Sequence, residues 1–183
     1  MEREAALKML KEKVTNQNLL KHMYAAEAVM KGLAQHFGED EKLWGLAGLL
    51  HDIDYDETKD DLTRHSLVAG RILKEAGFPE ELIHAVICHN DTHGEERKSL
   101  MDKALYATDP VTGLIVAGAL IRPEKKLAAV DVPFLLNRYH EKSFARGARR
   151  EVIASCTEMG LSLEEFLGIA LAAMQDIHGE LGL

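Results

Sequence analysis

Histidine and aspartate are the residues of this chain whose types and spacing suit chemistry. His51-Asp52 directly follows the apolar stretch LAGLL, where an imidazole and a carboxylate are costly to bury unless both are engaged. An isolated His-Asp pair usually turns the chain or bonds to backbone, so its meaning comes from its surroundings. His22 shares a helical face with Ala26, Val29 and Leu33, His65 with Val68, Ala69, Ile72 and Ala76, and His89 with Leu82, Ala85 and Val86. Three histidines therefore lie along apolar faces of three different helices. Metal ligation best accounts for buried imidazoles that converge with two or more carboxylates, because a cation satisfies the nitrogen lone pairs and neutralises the acids together.

The elements that must carry these residues read as helices, and no segment alternates with period two over a useful length. Leu19, Met23, Ala26, Met30, Leu33 and Phe37 recur at helical steps and stop at Gly38. Asp40 suits the cap of a nearly all-apolar helix ending at His51. The acidic stretch Ile53 to Asp61 reads as a loop, Thr63 as the cap of a helix closed by Gly77, and Pro79 as the first turn of a helix reaching His89. Asn90 to Lys98 is polar. A helix through Met101 and Thr108 is then interrupted or kinked at Asp109-Pro110, where Asp109 also suits an N-cap. The chain breaks around Pro123 and Pro133, resumes as a helix over about 146–159, and ends in a helix opened by the capping box Ser162 to Glu165.

Composition bounds the function. The 183 residues carry a net charge of −8, which argues against a strongly basic nucleic-acid binder. That total conceals a local contrast: Asp52 to Asp61 holds six acids and one lysine, whereas Arg122 to Arg150 holds eight basic and three acidic residues. The N-terminal residues lack the apolar core of a signal peptide, and the longest apolar run, Leu114 to Ile121, is too short to span a bilayer. Two distant cysteines fit a reducing, cytoplasmic setting better than a disulfide framework. One all-α domain over 1–183 is the economical organisation.

The order His22, His51-Asp52, Asp109 resembles the H…HD…D signature of the HD-domain superfamily of metal-dependent phosphohydrolases, and LAGLLHDID resembles its HDIG-type variant. The resemblance covers about 19–121 as a metal-binding helical bundle, leaving about 122–183 as a helical extension. It implies that His22, His51, Asp52 and Asp109 hold one divalent metal. His65 and His89 sit where two-metal members carry further ligands, so they would hold a second ion bridged through Asp52 or a hydroxide. The implied reaction is hydrolysis of a phosphoester or phosphoanhydride in a small phosphorylated compound such as a nucleotide, by metal-activated water. Imidazole-rich ligation favours Mn, Fe, Co, Ni or Zn over Mg alone.

Where many HDIG proteins continue with Gly and Lys, this chain has Asp54-Tyr55-Asp56-Glu57. Asp54, Asp56 or Glu57 then offers a general acid or an orienting group beside Asp52, with a solvated acidic loop as the plain alternative. Arg146 and Arg149, with Arg150 close behind, and His93 are candidates for substrate phosphates, against a solvated surface. His84 falls on another face from His89, while His36, His140 and His178 read as ordinary. The competing functions are a di-iron oxygenase built on the same ligands and a non-catalytic nucleotide-binding module. No stable nucleic-acid complex and no membrane association are expected, and the C-terminal helices suit either a cover for the site or a homodimer interface.

Overall fold

The computed structural model describes residues 2–183, and these form helices with no strand among the described residues. The chain runs through α1 (Arg3–Lys13), α2 (Gln17–Phe37), α3 (Glu41–Leu50), the single turn α4 (Tyr55–Thr58), α5 (Leu67–Glu75), α6 (Glu80–Cys88) and α7 (Leu100–Ile121). It continues through α8 (Val132–His140), α9 (Arg150–Ala154), α10 (Leu163–Asp176) and the short α11 (His178–Leu181).

Local chemistry sets the ends. The Asn16 side chain accepts from the Asn18 and Leu19 amides to open α2, and Gly38, at φ 74°, closes it in the left-handed conformation that glycine adopts at little cost. Asp40 caps α3 in the same way as Asn16 caps α2. Capping boxes, Ser99 with Asp102 and Ser162 with Glu165, open α7 and α10. Burial then fixes the arrangement. α2 packs on α3, α7 and α10, while α6 packs between α5, α3 and α7. Met23, Met30, Leu33, Leu49, Leu50 and Leu114 are fully buried in one apolar cluster, each stabilising the fold by about 1.5–3 kcal/mol.

Several elements differ from the sequence expectation for identifiable reasons. α7 is one continuous helix with Pro110 inside it, so Asp109 is not an N-cap. An internal proline costs roughly 3 kcal/mol, and full burial of Val111, Leu114 and Ile115 beyond it offsets that cost. α7 is also long and apolar enough to cross a membrane by length and composition, yet 61% of its most apolar window is buried against the other helices. Thr63 does not cap α5: it bonds to Asp61, and Ser66 stands at the helix start with φ 68°. Pro133 lies inside the first turn of α8, capped by Asp131, where its missing N–H is harmless. The helix expected over about 146–159 starts only at Arg150, because Arg150 turns back to donate to the carbonyls of Tyr139, Ala145 and Ala148 and so holds the preceding turn.

Candidate metal centre

Four helix ends or faces bring the histidines together. His22 comes from α2, His51 from the C-terminal end of α3, His89 from that of α6, and His65 from just before α5. Asp52 follows His51, and Asp109 projects from the middle of α7. Asp52 stands between two histidine pairs. Its Oδ2 lies 3.7 Å from His22 Nε2 and 3.5 Å from His51 Nε2, and its Oδ1 lies 3.3 Å from His65 Nε2 and 3.4 Å from His89 Nε2. Asp109 Oδ1 completes the first group at 3.2 Å from His22 Nε2 and 3.8 Å from His51 Nε2. Within the pairs, the Nε2 atoms are 3.1 Å apart for His22 and His51 and 3.2 Å apart for His65 and His89.

The opposite edge of each ring decides what those Nε2 atoms offer. His51 Nδ1 donates to the Gly48 carbonyl at 2.8 Å, and His89 Nδ1 donates to the Val86 carbonyl. His65 Nδ1 meets Asp54 Oδ1 at 2.9 Å. Thr112 Oγ1 gives its own hydrogen to the Asp109 carbonyl, so at 2.9 Å it accepts from His22 Nδ1. A neutral ring that donates from Nδ1 presents a lone pair at Nε2. Four such lone pairs and two carboxylates converge, with His51, His65 and His89 buried, and only protons or cations can reconcile them. This donor set fits divalent metal ions, with outer hydrogen bonds of the kind that orient ligating histidines.

The electrostatics agree. Complete burial opposes a charge on His51, but Asp52 and Asp109 outweigh it and lift the imidazole to about 9. Burial likewise opposes a charge on His65, and Asp52 and Asp54 lift it to about 9. Burial would raise the carboxyl of Asp52, yet His51, His65 and His89 hold it well below the usual range.

The remaining candidates divide by location. Asp54 is 2% exposed, and its oxygens accept from His65 Nδ1 and from the Ser66 and Ala69 amides. This corrects its expected place in a solvated loop: the carboxylate is occupied by the His65 ring and two backbone amides. Glu57 is exposed on α4 and paired with Arg64, while Asp56 accepts from the Thr15 and Asn16 amides. His93 Nε2 donates to the His65 carbonyl at 2.6 Å, which commits that nitrogen to holding the backbone beside a ligand. Arg149 pairs with Asp91 at 2.8 Å, and Arg146 makes no hydrogen bond or ion pair among the described residues. Arg150 is spent on backbone carbonyls.

Three groups near the site escaped the sequence reading. Thr112 lies three residues after Asp109 on the same helix, and that spacing was the available signal. The Tyr55 ring meets His65 edge-on at 5.2 Å, and burial together with Asp52 and Asp109 raises its phenol, which stays a donor. Lys21 lines a cavity of about 500 Å³ with His22, Thr112, Val116, Leu120 and Leu183. This cavity touches the centre at His22, and the side chains of His22 and Asp109 are 24% and 41% exposed, against 0% for His51. A slightly larger cavity, about 580 Å³, surrounds Glu27, Arg3 and Lys31 and contains none of these residues.

Residues 19–119, more than half of the chain, match the HD domain family, and the chain belongs to that family. It is an HD-domain protein of the superfamily of metal-dependent phosphohydrolases. Among curated proteins it is similar to ribonuclease Y of Rubrobacter xylanophilus, 26% identical over 139 residues that make up 74% of this chain and 27% of that protein. Ribonuclease Y of Desulforudis audaxviator is 30% identical over 142 residues, with the same two shares, and that of Nitratidesulfovibrio vulgaris 30% over 98 residues, 54% of this chain and 18% of that protein. The chain thus spans about a quarter or less of the length of these relatives. No solved structure matches it significantly.

Proposed function

We propose that this protein hydrolyses a phosphoester or phosphoanhydride bond in a small phosphorylated compound, with a nucleotide as the first substrate to try. The observation that carries the reading is Asp52, whose two oxygens face two separate histidine pairs. His22, His51, Asp109 and Asp52 Oδ2 would hold one divalent ion, and His65, His89 and Asp52 Oδ1 a second. Bound there, such ions supply a Lewis acid for a phosphoryl oxygen and lower the pKa of water.

The protein's own groups do the rest. Gly48, Val86, Asp54 and Thr112 keep the four imidazoles in one tautomer. The exposed carboxylate of Asp109 marks the side where water and substrate enter. Lys21 supplies a cation for phosphate oxygens there, and Val116, Leu120 and Leu183 give the organic part of the substrate an apolar wall. Tyr55, kept protonated, donates a hydrogen bond toward the leaving oxygen, a role that replaces the one expected of Asp54 and Glu57. A cytoplasmic setting goes with this reading, since Cys88 and Cys156 are free thiols.

The name of the relatives favours one second reading, cleavage of a phosphodiester in RNA. The test is phosphate or nucleotide release from a panel of phosphomonoesters, nucleotides and short oligoribonucleotides by protein loaded with Mn or Co. Turnover of small compounds, lost in Asp52→Asn, is the expected result. Cleavage confined to the oligoribonucleotides selects the second reading. Metal uptake without turnover on any of them overturns both, and oxygen consumption by iron-loaded protein would replace them with the oxygenase.

A further inference from the structure

Away from the Asp52 centre, His84 and Cys88 on α6 and Asp102 on α7 place a nitrogen, a sulfur and an oxygen within 4.8 Å of one another. His84 and Cys88 are one helical turn apart and share a face. His84 Nδ1 lies 3.0 Å from Asp102 Oδ2 and 3.6 Å from Cys88 Sγ. Zinc bonds of about 2.0–2.1 Å to nitrogen or oxygen and about 2.3 Å to sulfur, at tetrahedral angles, set neighbouring donors about 3.3–3.6 Å apart. The nitrogen–sulfur spacing falls within that range, the nitrogen–oxygen spacing is shorter than it, and the sulfur–oxygen pair lies within 4.8 Å.

Asp102 supplies an independent sign. It is 1% exposed, and its Oδ2 already accepts from the Lys98 and Ser99 amides and from His84. Its Oδ1 is buried with no hydrogen-bond partner among the described residues, which is costly for a carboxylate oxygen. Arg97 reaches the Cys88 carbonyl, Asp91 and the Tyr106 ring, and its own Nε is buried with no hydrogen-bond partner among the described residues. The cluster therefore holds an acid whose second oxygen lacks a partner among the described residues, beside a thiol and an imidazole.

We propose that His84, Cys88 and Asp102 form a second cation site that takes a zinc-like divalent ion, separate from the Asp52 centre. On binding, the Cys88 S–H bond breaks, its proton leaves to solvent, and the sulfur lone pair forms the bond to the metal with no change of oxidation state. A water completes the coordination on the half-exposed side of His84. The ion would clamp α6, whose next residue is His89, to the start of the helix carrying Asp109.

Cobalt alone is the probe, added to the full chain after chelator treatment. The Asp52 centre contains no sulfur, so a near-ultraviolet thiolate-to-cobalt charge-transfer band reports only the proposed site. The band should rise to saturation as cobalt is added, persist in Asp52→Asn and in Cys156→Ser, and vanish in Cys88→Ser with far-ultraviolet circular dichroism unchanged. His84→Gln should weaken cobalt binding at this band at least about tenfold, which keeps the test open if Cys88→Ser does not fold. No band in the folded protein, a band that survives Cys88→Ser, or unchanged affinity in His84→Gln overturns the proposal.

Discussion

The chemistry of the Asp52 centre depends on which edge of each imidazole faces inward, and single atoms decide that. For His22 the deciding atom is Thr112 Oγ1, which can accept only because it donates elsewhere. Thr112→Val keeps the shape and removes the acceptor, so metal affinity should fall about 10–100-fold with the fold intact, as isothermal titration with Mn or Co would show. Unchanged affinity would remove Thr112 from the site. Cys88 permits a second measurement. Burial, reinforced by Asp102, pushes its thiol up to about 12. In the metal-free protein it should therefore stay protonated near neutral pH, and its alkylation by iodoacetamide there should be far slower than that of an ordinary exposed thiol. Fast native alkylation at neutral pH would contradict that burial. The histidines themselves were legible in sequence as polar residues on apolar faces. Asp54 was not, because an acidic run looks solvated until a distant amide pair and His65 are seen to occupy its oxygens.

At the scale of elements, the centre exists because α2 and α3 approach closely. A Cβ on Gly48 would stand 2.5 Å from the Ala26 carbonyl oxygen and 2.8 Å from the Glu27 nitrogen, both backbone atoms that cannot swing aside. Gly48→Ala should therefore cost about 1–3 kcal/mol by overpacking, read as a lower urea midpoint at constant m. It should also weaken metal binding, because Gly48 supplies the carbonyl that holds His51. Equal stability would mean that the two helices can part without loss. α2, α3, α6 and the closing capping box were legible from period and caps. The unbroken α7 was not: local propensity favours a break at Asp109-Pro110, and only the burial of Val111, Leu114 and Ile115 by other helices carries the helix through.

For the whole molecule, the segment expected as an extension is part of the same apolar cluster. Phe166, Leu167, Ala170 and Met174 of α10 are fully buried in it, and α10 packs on α2, the helix that carries His22. Phe166→Ala should cost about 3–5 kcal/mol. In thermal unfolding, helix loss and metal release should move down in temperature together, whereas a separate early transition of the C-terminal helices would show that they fold apart from the centre. Within the basic segment offered for substrate phosphates, Arg150 is instead engaged with backbone carbonyls and Arg149 with Asp91.

The amino-acid sequence alone determined the all-helical class and the family signature, along with the set of histidines and aspartates able to ligate, because residue type and helical period are local properties. Tertiary structure decided that Asp52 faces two histidine pairs with different oxygens, that Asp54 orients a ring, that Lys21 shares a cavity with His22, and that the Tyr55 ring meets His65. Those facts join residues far apart in the chain, such as His22 and Thr112 at a separation of 90 positions. Only the packing of one helix on another sets such distances.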